Sequence, residues 1–548
     1  ELLAAAARAS VVPAEAADLQ ARIAAHLAER GAAPERVAGH WTQAGRWAEA
    51  GAAYRMAADG ARDTGRRRDE AALLERAADC LAQAGAAADR FALLLRRAEV
   101  LAAYELADAS RASLAKVQSA AADELQSLQA RMVRVQAAAK RSETAITMSL
   151  APDGMAQAAA LGRTDLVLEF AVPLCEVLCD LRRPAEALAL LESLAGWVGS
   201  GGATDEQAWR YWSTKALALD YANRLGDAVA AGEAAVGLAQ RLGRDDLLWQ
   251  SLQDLGSTHA KRGYVRQAVA AGQQALALAS ACGDAGLGRV HELRMMLAHR
   301  LRDVGEYAQA LPLQEQALAF FRAGGLAAGI TSAENRLAQT FLQLGQPARA
   351  RALLATPHAG AFETLAVVRL MLQAETTRLS GGDATGTIRA ALARTPQRDD
   401  VYHRLVALFA SAIVPADEGE GLALGVAAWA ALHQRQGLAL AGHVRAAGCA
   451  LAQGALQRAL PHAEVALRLA REVQPDSFYL PELWLTAARV FAQAGDAATA
   501  AEALQTGQQW VRSTAAERVP AAFRDSFLHR NPVNRELLAA TASCRPST

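Results

Sequence analysis

Lysine is nearly missing from this chain. Among 548 residues only Lys116, Lys140, Lys215 and Lys261 are lysine, so arginine carries almost all of the positive charge. No lysine follows a glycine, and no Gly-x-x-x-x-Gly-Lys-Ser/Thr string occurs. A loop that cradles phosphates through its backbone amides needs that lysine to reach them. The stretch GGDATGT, residues 381–387, has the glycine spacing but puts Thr387 where the lysine belongs. Such a loop is excluded, and binding of magnesium-ATP is not expected. A net charge is missing too: 57 basic residues balance 57 acidic ones, which leaves no excess to attract nucleic acid or an acidic surface. Much of the apolar content is alanine, and no run of about 18 strongly apolar residues exists to span a bilayer. The opening ELLAAAARASVVPAEAA lacks a basic start and is not read as a signal peptide.

The six cysteines are scattered and form no disulfide framework, which fits a reducing cytoplasm. Cys175 and Cys179 stand at i, i+4 and would make half a metal site on a helix. Leu174 and Leu178 beside them favour packing instead, and no metal or cofactor is expected. HELRM, residues 291–295, begins like a zinc-protease helix but has Met295 in place of the second histidine. There is no Gly-x-Ser-x-Gly elbow, and the eleven histidines show no ligand spacing. An enzyme is therefore not expected. The alternative is an enzyme with an active site in the irregular segment 358–430.

What the chain does have is a repeat. Residues 251–279, SLQDLGSTHAKRGYVRQAVAAGQQALALA, read as helix, turn, helix. Leu252, Leu255 and His259 share one face of the first helix, and Gly256 is small enough for another backbone to come close. Gly263 ends that helix, where a left-handed residue is commonly required. Ala268, Gly272 and Ala275 then place small residues at i, i+4 and i+7 of the second helix. Counterparts of Ala268 recur at Ala187, Ala228, Ala310 and Ala350, with Ala459 and Ala500 in a later run, about 41 residues apart. A fixed period of this size predicts an all-α stack of helical hairpins. Ala268 and Ala310 are expected to be buried between helices, with Ala268→Leu costing about 1–3 kcal/mol by overpacking.

A small residue, a turn glycine and alanines on the second helix resemble the tetratricopeptide repeat. Trp41, Trp212, Phe341 and Trp484 fall at its large first-helix positions, and Gly256, Ala298, Ala338 and Ala488 at its small one. The period exceeds the usual ~34 residues, as in the long-helix variant of maltose-regulon-activator-like bacterial regulators. HEAT repeats are the rival on length alone. Leu19, Arg22, Ile23, Val37, Ala38, His40 and Trp41 resemble the junction that follows the ATPase module of large bacterial signalling ATPases with numerous domains. Arg524-x-Ser526-Phe527-Leu528 and Asn531-Pro532-Val533-x-Arg535-x-Leu537-Leu538 resemble strings that close repeat regions of such proteins, including nucleotide-cyclase and transcription-factor fusions.

The resemblance implies a right-handed α-solenoid. The order expected is a junction with a first hairpin in 1–64, irregular hairpins in 65–154, regular repeats in 155–357, an irregular helical segment in 358–430, and repeats with a capping helix in 431–548. Pro152, Asp153 and Gly154 are read as a loop, as are residues 380–386 and 414–421. Arg66, Arg67 and Arg68 are read as a solvated turn, Pro532 as the start of a final helix, and residues 541–548 as a frayed tail.

The same resemblance makes the chain an interaction and sensing arm. Its concave wall would hold a protein, a peptide or a small effector, and ATPase and output modules would lie outside the chain. The inward register comprises Arg210, Ser213, Asp220 and Tyr221; Gln250, Gln253, Ser257 and Lys261; Glu292, Met295, His299 and Arg302; Ser332, Asn335, Gln339 and Gln343. From these, Arg210, Tyr221, Gln253, Lys261, His299, Arg302 and Asn335 are the candidate binding residues. Neither Gln253 nor Arg302 is assigned to the core. A polar helix face that meets only water is the competing reading.

Overall fold

The structure, a computed structural model, describes residues 13–103, 107–141, 143–356, 358, 362–395 and 401–540. The opening twelve residues, Cys544 and the expected frayed tail lie outside the described residues. Among these residues there are twenty-eight α-helices, one short 3-10 helix and no strand. No described helix is long and apolar enough to cross a membrane.

The helices are cut to length by left-handed residues. Gly162, Arg182, Gly201, Asn223, Gly243, Gly263, Gly283, Gly305, Gly325 and Gly345 all have positive φ and follow one another at about twenty-residue steps. Each closes a helix that is typically 17 residues long. At Gly263 the amide donates to Ala260 O (2.9 Å) and the next amide, of Tyr264, to His259 O (2.9 Å). That pair of bonds satisfies carbonyls which the helix end leaves open. Two helices of this length with their turns make the 41-residue period read in the sequence.

The hairpins close on small residues. Ala187, Ala228, Ala268, Ala310, Ala350 and Ala459 are all at most 1% exposed. A Cβ added to Gly256 would sit 3.2 Å from the Ala271 Cβ, and one added to Gly272 would sit 3.2 Å from Leu297 Cδ1. Cys175 and Cys179 are fully buried as packing residues, with the Cys175 thiol 3.5 Å from Ala187 O.

The chain divides into two compact units. Unit 1 holds the described residues up to Ala222, with Ala231–Leu248 and Leu278–Gly288. Unit 2 holds Asn223–Ala230, Trp249–Ala277 and the described residues from Arg289 on. In unit 2 four hairpin turns are tied to much later parts of the chain. Gly226 N donates to Gln434 Oε1 (2.9 Å), and Gln474 N to Gly263 O (2.9 Å). Ala308 N donates to Arg518 O (2.7 Å), and Ser526 Oγ to Leu344 O (2.7 Å). A simple repeat array touches only its neighbours; unit 2 adds a second line of contacts. Pro532 does begin the last helix, Pro532–Ala539, with the Asn531 side chain capping Val533 N and Asn534 N. Leu537 on this helix and Phe527 before it are fully buried.

Three expectations are corrected. Pro152, Asp153 and Gly154 are not a loop but lie within helix Thr144–Ala160. Gly154 is there for proximity: a Cβ on it would stand 2.4 Å from the Phe170 ring. Of residues 414–421, those from Ala416 on are helical, and a Cβ on Gly419 would stand 2.6 Å from Ser411 O. Arg67 is not solvated. It is 7% exposed and binds Glu70 and Asp246, each at 2.8 Å. Past residue 357, helix Thr385–Arg394 has 10 residues rather than 17.

Candidate functional site

Inward side chains meet neighbouring first helices across one repeat. Arg210 bonds Glu169, and the Tyr221 hydroxyl donates to Asp180 Oδ1 (3.3 Å), each 41 residues apart in sequence. Arg300 Nη2 donates to Ser257 Oγ (3.1 Å), and Gln253 Nε2 lies 3.6 Å from Met296 Sδ, each 43 residues apart. Within each unit the first helices of successive hairpins therefore stand side by side and present a polar ladder.

In unit 1 the ladder leads to a cluster rich in carboxylates. Helix Asp205–Tyr221 supplies Arg210 and Glu206, helix Thr164–Asp180 supplies Glu169, and helix Ala87–Ala103 supplies Glu99. Arg210 also reaches Glu206 at 3.4 Å, and Arg62 lies 3.7 Å from Glu206. Gln136 Nε2 donates to Glu169 (3.1 Å). Glu99 is half-buried and makes no hydrogen bond or ion pair among the described residues. Burial pushes its pKa up to about 7; Arg210 opposes this, while Glu169 and Glu206 reinforce it. Burial raises Glu169 as well, against the pull of Arg210. At Tyr221 burial, then the Asp180 charge, pushes the phenol up to about 12.

In unit 2 the inward residues are more deeply enclosed. Arg302, 1% exposed, donates to Asp303 Oδ1 from Nε (3.1 Å) and Nη2 (2.5 Å), and to Gln339 Oε1 from Nη1 (2.6 Å). The expectation that Arg302 stays outside the core is thus corrected: its charge is buried because Asp303 and Gln339 satisfy it. Asn335, 3% exposed, donates to Leu365 O (3.0 Å) and accepts from Arg369 (3.4 Å), so it serves a helix seam. Gln253 and Lys261 are half-buried on helix Asp245–Arg262. His299 Nε2 lies 3.6 Å from Asp303 Oδ2. Burial, then the charges of Arg302, Arg336 and Arg300, hold this imidazole well below its usual pKa and so neutral.

The ligating atoms of His299, Asp303 and Asp476 lie within 4.8 Å of one another, a spacing that a metal ion accepts. The charges argue against one. Arg302 already occupies Asp303 Oδ1, and Arg300, Arg302 and Arg336 outnumber the two carboxylates. A cation would enter a site whose described residues are already net positive. Nearby, a cavity of about 50 Å³ is lined by Gln339, Gln343, Arg378, Arg445, Tyr479 and Glu482. Its charges are paired, Glu375 with Arg378 at 2.6 Å and Arg445 with Glu482 at 2.7 Å. It has room for a few waters, not for a drug-sized ligand.

The sequence reading missed Glu99, Glu169 and Arg336. Arg336 had a signal: Ser332, Arg336, Gln339 and Gln343 follow i, i+4, i+7, i+11, one polar stripe of a helix, from which Asn335 departs.

No family model matches the sequence, and no curated protein matches it. The chain is built of tetratricopeptide-like helical hairpins, and similar solved structures include three helical-repeat proteins. The apo form of the quorum sensor NprR from B. thuringiensis is 10% identical, with 64% of this chain and 100% of that chain covered and a TM-score of 0.45. The signal transduction ATPase with numerous domains from Pyrococcus horikoshii, which carries a tetratricopeptide repeat sensor, is 15% identical. There 64% of this chain and 53% of that one are covered, at a TM-score of 0.46, so the match spans about half of that protein. The APC/C hetero-tetramer Cut9-Hcn1 is 14% identical, with 88% and 95% covered and a TM-score of 0.43.

Proposed function

We propose that this chain is a non-catalytic scaffold that binds a protein or peptide along its inward polar register, as the cytoplasmic helical-repeat arm of a bacterial signalling ATPase or transcriptional regulator. The observation that carries this reading is Glu99: a half-buried carboxylate on the inner register that no side chain among the described residues pairs. An uncompensated group of this kind weakens the fold and is retained where a ligand supplies the missing partner. A basic or amide-bearing segment would give Glu99 the donor it lacks. A peptide suits the ladder better than a compact effector, because its contacts recur along successive repeats while the described cavity holds only a few waters.

The test is an array of short peptides of varied charge, with hits confirmed by titration calorimetry on the full chain. Saturable binding that weakens about tenfold or more in Glu99→Gln, as expected for a charge-assisted hydrogen bond lost, supports the proposal. An array without binders, or binders unaffected by changes anywhere on the inward register, overturns it.

A further inference from the structure

Arg336 lies on helix Ala327–Gln343, one turn before Gln339. Gln339 accepts from Arg302 Nη1 at 2.6 Å, so the polar stripe that carries Arg336 faces the buried Arg302–Asp303 pair. The two arginines are treated in opposite ways. Arg302 is held by three hydrogen bonds. The side chain of Arg336, half-buried beside it, has no hydrogen bond or ion pair among the described residues.

The neighbours cannot supply what it lacks. Asp303 gives one oxygen to Arg302, and Asp476 accepts from Ser477 Oγ at 2.9 Å. Arg300 donates to Ser257 Oγ and, at 3.4 Å, to Met296 O, and its Nε has no acceptor. His299 Nδ1 is likewise without a partner. Among the described residues three guanidinium groups thus face two carboxylates, with a neutral imidazole between them. Burial, then the like charges of Arg302 and Arg300, push the Arg336 pKa down to about 10. The fold holds a cation where a cation is unwelcome: Tyr402 and Asp303 offset part of the cost electrostatically, but no hydrogen bond or ion pair to the Arg336 side chain among the described residues repays it. A guanidinium offers a planar fork that matches a carboxylate in two parallel hydrogen bonds.

We propose that Arg336, backed by Arg300 and Arg302, is an anion-binding group that takes a carboxylate of an acidic peptide. The proposal rests on the interaction reading above and gives it a ligand chemistry in unit 2. An incoming carboxylate brings the three arginines and two aspartates to balance, whereas a metal ion at His299, Asp303 and Asp476 would widen the imbalance.

The test uses the full chain and four probes: acetyl-triglutamate, acetyl-triglutamine, inorganic phosphate and zinc. Binding is read by titration calorimetry and thermal melts for the wild type, Arg336→Gln and Arg336→Lys. Triglutamate is expected to bind and to raise the melting temperature of the wild type, and triglutamine to do neither. Arg336→Gln should weaken triglutamate about tenfold or more, as loss of a charge-assisted pair does. Arg336→Lys, which keeps the charge and loses the fork, should fall between. Without ligand, Arg336→Gln should melt no lower than the wild type, since no internal partner is lost. Equal triglutamate affinity in wild type and Arg336→Gln overturns the proposal. So does a site that binds phosphate as tightly as triglutamate, or one that binds zinc and no anion. A ligand-free Arg336→Gln that melts several degrees lower also overturns it, by showing a structural role. If array peptides bind and depend on Glu99 but not on Arg336, the scaffold reading stands and this inference alone fails.

Discussion

Arg210 in unit 1 and Arg302 in unit 2 both belong to the inward register, and the two units handle them differently. The Arg210 side chain is 34% exposed, binds Glu169 and shares Glu206 with Arg62, in a cluster where Glu99 is left over. The Arg302 side chain is fully buried against an Asp303 that is 4% exposed, in a cluster where Arg336 is left over. One unit keeps a surplus carboxylate beside water, and the other keeps a surplus guanidinium near a sealed pair. The same repeat register can thus be a reachable wall in one place and a piece of core in another. What decides is whether something covers it. In unit 2 the segment around Gln474 and Asp476 comes back against the turn at Gly263 and the His299–Asp303 pair.

The largest effect that separates the two units is expected from removing each arginine. Arg302→Ala leaves Asp303 buried and unpaired, which costs about 3–5 kcal/mol. Arg210→Ala opens a partly solvated pair and should cost about 1 kcal/mol or less. Urea unfolding of each variant measures both. The double variant Arg302→Ala, Asp303→Ala should recover part of the loss, because the buried Asp303 charge is removed together with its partner. Equal costs for the two single variants would break the distinction between a wall and a core arginine.

That distinction was invisible in the sequence. The period, the small residues at Ala187, Ala228, Ala268 and Ala310, and the helix stop at Gly263 were all legible because each follows from local geometry: close contact needs a small side chain, and a left-handed turn favours glycine. Gly154 and Gly419 misled for the same reason. A glycine placed for proximity to Phe170 or Ser411 reads like a turn glycine until the partner helix is known. Arg67 and Arg302 misled because a charged residue is assigned to solvent by default, and its burial depends on a partner. For Arg67 one of those partners is Asp246, 179 residues away. The inward stripe was partly legible: Gln339 was placed on it, while Asn335 was chosen in place of Arg336 one residue later.

A second, smaller effect sharpens the account of unit 1. The Glu99 carboxyl in the fold has a pKa of about 7 against an ordinary 4.5, chiefly through burial. A raised carboxyl pKa means that the folded chain binds the proton more tightly than the unfolded one. Stability from this group is therefore greatest below about pH 4.5, falls as the pH rises through 7, and stays low above. One pKa unit corresponds to about 1.4 kcal/mol, so the full swing is roughly 3 kcal/mol. Asp303 in unit 2, raised to about 6 by burial, contributes in the same sense over a lower range. The difference between wild type and Glu99→Gln isolates the former. Glu99→Gln should be the more stable protein at pH 8 and lose that advantage by pH 5, as followed by denaturant unfolding across that range. An advantage independent of pH would show that Glu99 is not held protonated by its surroundings.

The third comparison expects the units to agree. Gly154 in unit 1 and Gly419 in unit 2 were both chosen for contact, so Gly154→Ala and Gly419→Ala should each cost about 1–3 kcal/mol through overpacking. The Gly419 change should be the less forgiving, because its obstacle is a backbone carbonyl 2.6 Å away rather than a ring.

The smallest effect has the opposite sign. Gly60 is an exposed position near the end of helix Trp47–Asp63, with nothing within 4 Å of an added Cβ and no positive φ. There glycine contributes neither a turn nor a contact, only extra freedom in the unfolded chain. Gly60→Ala should therefore stabilise by about 0.5–1 kcal/mol. Thermal melts of Gly60→Ala beside Gly154→Ala put the two kinds of helix glycine in one unit to the test. A loss at Gly60 comparable to that at Gly154 would mean that contact with Phe170 is not what makes Gly154 glycine.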